Sequence, residues 1–286
     1  MDVHDLIHRH RKTTMTSRTS PPTASPTPPP TPPPATPPSS APPARPGYAD
    51  TLQRLQAAQK TTKGAPAYSR YVNRPLGRRI AAVAHQLGRT PNQVTAVSGA
   101  FSLVAIVLLA VARPTVAVGV LVAVCLVVGY AFDAADGQLA RLRGGGSPAG
   151  EWLDHMVDAA KISALHLAVL VCAYRWFELD DRWLLVPMGF CIVNAVAFFG
   201  MILNDLLRQR HAAATGVPVQ RGETSTLRSL LVIPTDYGFL CVAFALLGAN
   251  TLFFGVYTLF FAAYAGFLLL AVVKWFRDMD ALGRAH

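Results

Sequence analysis

The chain is a series of long apolar runs joined by short polar interruptions. The runs lie at about 94–112, 115–140, 150–174, 183–206, 230–248 and 251–273. At about 1.5 Å per residue, a helix over any of them is long enough to cross a hydrocarbon layer of about 30 Å. Residues 113–114, 144–148, 178–182 and 248–250 make short connections, and 207–229 form one long loop. The pattern predicts an all-α polytopic membrane protein with six transmembrane helices over residues 93–275, followed by a cytoplasmic tail at 276–286.

Upstream the pattern changes. Residues 51–60 read as a short polar helix. Pro75 suits an early helical position, and Leu76, Ile80, Val83, Ala84 and Leu87 then form an apolar stripe beside Arg78, Arg79 and Arg89. Such a segment, within 48–92, is an amphipathic juxtamembrane helix that lies along the cytoplasmic lipid face or packs on the protein. Residues 90–95, Thr-Pro-Asn-Gln-Val-Thr, turn the chain into the membrane. Residues 1–47 are mostly Pro, Thr, Ser and Ala, a composition that favours polyproline II or disorder and builds no core. The basic start is followed by no apolar run, so it does not read as a signal peptide; Met15 is an alternative start. The PxxP-like pieces suit either a solvated tail or a docking motif.

Composition fits this picture, with 52% apolar and 15% charged residues. The net charge of +10 flanks the apolar runs and forms no compact basic domain, so no nucleic-acid partner is expected. Arg78, Arg79, Arg89, Arg141, Arg143, Arg208, Arg210, Arg221, Arg228, Lys274, Arg277 and Arg284 fall on one side of the six-span topology. The positive-inside rule makes that side cytoplasmic, both termini included, in the cell membrane. The four cysteines stand singly within predicted spans and form no CxxC pair, which points to neither zinc nor a disulfide framework. The histidines form no HExxH set, and His155 beside Asp154 reads as packing or capping.

The interruption at 133–158 is different. Asp133, Asp136, Gly137 and Ala140 share one helical face, and Gly150, Asp154 and Asp158 share another at intervals of four. Residues 143–148, Arg-Gly-Gly-Gly-Ser-Pro, reverse the chain between them. The two acidic faces are therefore expected to oppose one another in an antiparallel hairpin. Carboxylates at membrane depth are costly and need a counter-charge. Oxygen-only ligands suit Mg²⁺ or Mn²⁺. Small Gly137, Ala140 and Gly150 leave room for a bulky ligand.

This pattern, Asp133, Asp136, Gly137, Ala140, Arg141, Gly150, Asp154 and Asp158 at those offsets, resembles the complete signature of the CDP-alcohol phosphotransferase (class I phosphatidyltransferase) family. The resemblance implies a transferase that moves a substituted phosphate from a CDP-alcohol to a hydroxyl and releases CMP. CDP-diacylglycerol is the expected donor, and a small polar alcohol, inositol phosphate or glycerol 3-phosphate, the expected acceptor; a soluble donor such as CDP-inositol is the alternative. By the same resemblance, Asp133, Asp136, Asp154 and Asp158 hold two Mg²⁺ or Mn²⁺ ions, and Asp158 also acts as general base. Asp133, Gly137, Ala140 and Arg141 border the CDP moiety, joined by Pro91 and Thr95 from the Thr-Pro-Asn segment. Residues 63–75 are similar to members that handle inositol phosphates. Homodimerisation is implied likewise. Lys161, Arg221 and Arg228 are the candidate acceptor-binding cations, weighed against ordinary positive-inside charge, and Arg141 has a snorkelling alternative. Asp236 is a buried-acid candidate without a role.

Two other classes compete. Membrane prenyltransferases also bind pyrophosphate through Asp-rich helices, but usually from separate helices. Transporters show internal repeats, and the acidic motif has no second copy here.

Overall fold

A computed structural model describes residues 47–58, 66–216 and 236–284. The described residues form helices and their connections, with no strand among them. Helix α1 is Tyr48–Ala57; a wider turn at Ser69–Asn73 runs into α2, Arg74–Gln86. Helices α3 (Pro91–Val111), α4 (Val116–Leu142) and α5 (Pro148–Trp176) follow. A 3-10 turn, Asp181–Leu184, leads into α6, Leu185–Thr215. Helix α7, Tyr237–Ala243, continues as the 3-10 turn Phe244–Leu246, and α8 is Asn250–Arg284.

Polar caps start the three helices that build the site. Thr90 and Gln93 form a reciprocal capping box at the head of α3, with Pro91 in its first turn. Thr115 accepts from Val118 N–H at the head of α4, and Ser147 from Gly150 N–H at the head of α5. Gly144 and Gly145 turn the chain between α4 and α5 at φ of 95° and 129°, values that favour glycine.

Five helices are long and apolar enough to cross a membrane: α3, α4, α5, α6 with its preceding turn, and α8. The expected span at 230–248 is described only in part. Its described part is the short helical stretch Tyr237–Leu246, and residues 230–235 lie outside the described residues. One expected boundary is corrected. The loop expected to begin at 207 is helical as far as Thr215, where Gly216 ends α6 at φ 70°. The tail expected at 276–286 is helical through Arg284. Ion pairs lie along both extensions: Arg208 reaches Asp278 at 2.6 Å, Lys274 also reaches Asp278, and Arg284 pairs with Asp280. The Pro-rich residues 1–46 lie outside the described residues.

Helix α4 is central, with α3, α2 and α7 packed on it; α3 lies against both α4 and α5, while α4 and α5 make few close backbone approaches to each other. Small residues bring α3 in. A side chain at Gly129 would meet Ser102 Oγ at 2.8 Å, and Ser98 donates to Gly129 O; Gly99 lies against Val157. The acidic faces therefore look across a gap rather than through a helix–helix contact. One buried apolar cluster, including Leu109, Leu126, Leu165, Phe190, Phe244 and Phe253, fills the bundle interior. A second, with Leu55, Ala81, Ala84, Val94, Ala135 and Leu139, joins α1 and α2 to α3 and α4.

Helix α2 packs through small residues. Gly77 and Ala81 are buried, and a Cβ at Gly77 would stand 2.9 Å from Ala134 Cβ. Of the expected apolar stripe, Ala84 is buried whereas Val83 and Leu87 remain exposed beside the α3 groove. Deep in the bundle, His166 is fully buried and hydrogen-bonded on both ring nitrogens, Nδ1 with Tyr257 Oη and Nε2 with Asn194 Nδ2, each at 2.6 Å. That network joins α5, α6 and α8.

Candidate active site

The last turns of α4 and the first turns of α5 carry the acidic residues to one place. Asp133, Asp154 and Asp158 each present a carboxylate oxygen within 4.8 Å of the others. Lys161 Nζ lies 2.6 Å from Asp133 Oδ1 and 2.6 Å from Asp158 Oδ1. Its ammonium thus joins α5 to α4 across the gap. One lysine does not neutralise this many carboxylates, and hard oxygen donors at such mutual spacing fit a divalent cation.

Asp136 stands apart from that trio. It is buried and takes a 2.6 Å hydrogen bond from Thr95 Oγ1. It nevertheless lines the same cavity as Asp133 and Asp154. The rest of that wall is polar, made by Ser69, Asn73, Arg74, Gln138 and Arg141 with Gly137. Gly137 faces space: the nearest atom to an added Cβ is Arg141 Nη1 at 3.4 Å. Arg141 Nε is buried and has no hydrogen-bond partner. An orphaned guanidinium N–H beside carboxylates calls for an anionic acceptor, and a phosphate oxygen supplies one.

Tyr130 and Asp133 line this cavity and also a second one. The second holds Asp158, Lys161, Asn194 and Asp236 among apolar and aromatic residues such as Ile162, Phe190, Phe198 and Leu240. The site thus has two chambers that share Asp133, with Gly137 and Arg141 on one side and Asp158 and Lys161 on the other.

The remaining sequence-predicted residues fall elsewhere. Pro91 and Ala140 are not in the wall of the polar cavity. Thr95 is buried behind Asp136, its hydroxyl also within reach of Pro91 O. Gly150 is not a space-maker for a ligand, because a Cβ there would meet Asn92 Oδ1 at 3.0 Å and Ser147 Oγ at 3.2 Å; it lets the heads of α3 and α5 approach. Arg221 and Arg228 lie outside the described residues. Sequence reasoning missed Ser69, Asn73, Arg74, Tyr130 and Gln138. Tyr130 carried the signal of helical spacing, three residues before Asp133; Gln138 did not, and Ser69, Asn73 and Arg74 lay in the 63–75 segment whose likeness assigned no role to any one residue.

This is a helical bundle with five helices of membrane-crossing length and a carboxylate-rich cavity in the gap between α4 and α5. Residues 89–274 match the family model for CDP-alcohol phosphatidyltransferase, and the chain belongs to that family. No curated protein matches it. Among solved structures it is similar to phosphatidylinositol phosphate synthase of Mycobacterium tuberculosis with CDP-DAG bound, at 18% identity and a TM-score of 0.46, over 71% of this chain and 93% of that one. It is also similar to the same synthase in complex with manganese and citrate, at 21% identity and a TM-score of 0.43, over 69% and 87%.

Proposed function

We propose that this protein transfers a phosphatidyl group from CDP-diacylglycerol to the hydroxyl of a small polar alcohol, an inositol phosphate or glycerol 3-phosphate, with release of CMP. The observation that carries the reading is the convergence of Asp133, Asp154 and Asp158 within 4.8 Å beside a cavity lined by Arg141. Membership of the family supports it.

Asp133, Asp136, Asp154 and Asp158 would hold two Mg²⁺ or Mn²⁺ ions, with Asp133, Asp154 and Asp158 the nearest set. Bound there, such ions offset charge that develops on the transferred phosphate and on the departing CMP. Every other part of the mechanism belongs to the chain's own side chains. The polar cavity takes the cytidine diphosphate, with Arg141 and Arg74 toward its phosphates and Gly137 giving it room. Asp158 takes the proton of the acceptor hydroxyl as that oxygen attacks the β-phosphorus. Lys161, on the Asp158 side of the site, steadies that carboxylate and faces the incoming alcohol. Thr95 fixes the rotamer of Asp136 and acts on the donor through it. Arg221 and Arg228 are the further cations a phosphorylated acceptor calls for, since Lys161 is the one Lys or Arg lining the second cavity among the described residues. We place the site and both termini on the cytoplasmic side of the cell membrane, on the lysine and arginine distribution.

The test is CMP release from CDP-diacylglycerol by purified protein with Mg²⁺, across inositol 1-phosphate, glycerol 3-phosphate, inositol and serine. Release stimulated by one phosphorylated acceptor and lost with EDTA is the expected result. Stimulation by serine or free inositol alone would overturn the acceptor assignment. No release from CDP-diacylglycerol, with turnover of CDP-inositol, would overturn the lipid donor.

A further inference from the structure

We propose that Asp236 is a positioning residue for the transfer site: it fastens the chain segment before α2 to the head of α7, so that Ser69, Asn73 and Arg74 form a wall of the cytidine diphosphate cavity.

Asp236 is 1% exposed, and its carboxylate is occupied by backbone donors. Oδ2 accepts the Tyr68 N–H at 2.8 Å, from a residue 168 positions away in sequence, and Oδ1 accepts the Gly238 N–H at 3.0 Å. The Ser69 N–H is directed at the same carboxylate. A charged acceptor shared by backbone amides from two segments is a strong tie between them. It is also specific for aspartate, since an asparagine at 236 has one acceptor oxygen and would turn an NH₂ group toward a backbone N–H.

The Tyr68 ring completes the fastening. It rests on Gly238, where an added Cβ would fall 1.9 Å from Tyr68 Cδ1. It stacks near Tyr130, with ring centroids 6.3 Å apart, and meets Phe239 edge-on at 5.8 Å. Tyr130 itself lines both chambers and is hydrogen-bonded to Ser69. Two turns further along α4, Gln138 Nε2 donates to Arg74 O at 3.2 Å. The line from Asp236 through Tyr68 and Ser69 therefore ends at Asn73 and Arg74, in the wall that faces Asp133, Asp136 and Arg141. The Asp236 side chain meets that polar wall at the Ser69 backbone N–H, so its effect on the donor passes through the segment it holds.

The inference rests on the transfer reading above, so its experiment has an arm that does not depend on catalysis. Asp236→Asn, Asp236→Ala and Gly238→Ala are made in the full chain in nanodiscs. Gly238→Ala releases Tyr68 while leaving the carboxylate in place. The first readout is trypsin cleavage after Arg70, an exposed residue of the fastened segment. All three variants are expected to speed it by about tenfold, the size of losing hydrogen bonds to a charged acceptor, with the rest of the tryptic pattern unchanged. The second is steady-state kinetics, where the donor KM should rise by about tenfold with kcat within about twofold. Unchanged cleavage after Arg70 would overturn the fastening. Faster cleavage with unchanged donor KM would overturn its role in the site, and a general rise in cleavage at all sites would reduce Asp236 to a fold-stability residue. A wild-type chain that neither binds CDP with Mn²⁺ nor releases CMP would overturn the transfer reading, and with it the role in the site, while the cleavage comparison would still decide the fastening.

Discussion

Lys161 Nζ stands at the same distance, 2.6 Å, from a carboxylate oxygen of Asp133 on α4 and one of Asp158 on its own helix. These side chains are between 12% and 27% exposed, so the pairing is largely shielded from water. Removing the ammonium leaves two acids facing each other. Lys161→Met is expected to slow CMP release by about 100-fold, equivalent to about 3 kcal/mol at a buried ion pair. Lys161→Arg should recover part of that loss. If Lys161 also faces the acceptor, the acceptor KM rises while the donor KM holds; equal kinetics for wild type and Lys161→Met would remove the residue from the site.

The two ends of the acidic set predict different failures. Asp158→Asn should abolish turnover and leave CDP-donor binding largely intact, since its proposed task is to take a proton. Asp133→Asn should weaken Mn²⁺ and donor binding together, because Asp133 borders both chambers. Because both residues belong to the proposed ion set, CDP-donor binding measured beside CMP release separates the two. Near-normal turnover in either variant defeats its assignment.

Thr95→Val replaces the hydroxyl that Asp136 accepts from by a methyl group of similar size. A hydrogen bond to a carboxylate contributes about 1.5–3 kcal/mol. The variant should therefore lose donor affinity by roughly tenfold or more, while Thr95→Ser keeps most of it. Equal donor KM in the two variants would mean that the bond does not position Asp136.

Two glycines should respond in opposite ways. Gly77→Val drives a side chain into Ala134 and forces α2 off α4, at a cost of about 1–3 kcal/mol of stability. Gly137→Val meets open cavity beside Arg141, so thermal stability should hold while donor KM climbs. Thermal denaturation and donor titration on both variants check the contrast, and a Gly137→Val chain that unfolds early would show the glycine to be there for packing.

Much of this was legible in the chain. The five long helices follow from apolar length, and the convergence of Asp133, Asp154 and Asp158 follows from helical spacing and a glycine turn. What the spacing could not show is that Asp136, on the same face as Asp133, is held back by Thr95 from another helix. Nor could it show that α3 rather than α5 packs on α4, because that depends on Ser98, Ser102 and Gly129 allowing close approach. Arg74 and Ser69 were hidden for a related reason. They reach the site through a contact between Tyr68 and Asp236, and long-range pairing leaves no periodic trace. The continuation of α6 and α8 past their apolar runs was hidden because the charged residues there are paired, Arg208 with Asp278 across the two helices and Lys274 and Arg284 within α8.

The buried His166 has a mechanical consequence. With Tyr257 and Asn194 holding its two nitrogens, α5 is pinned to α6 and α8 two turns beyond Asp158. If α5 slid along its axis by even one residue, about 1.5 Å, both bonds would break. The helix is therefore indexed like a key in its slot. The height of Asp154 and Asp158 relative to Asp133 is set from within the bundle as well as from the turn, so a substitution at His166, two turns beyond Asp158, should shift the alignment of the carboxylates.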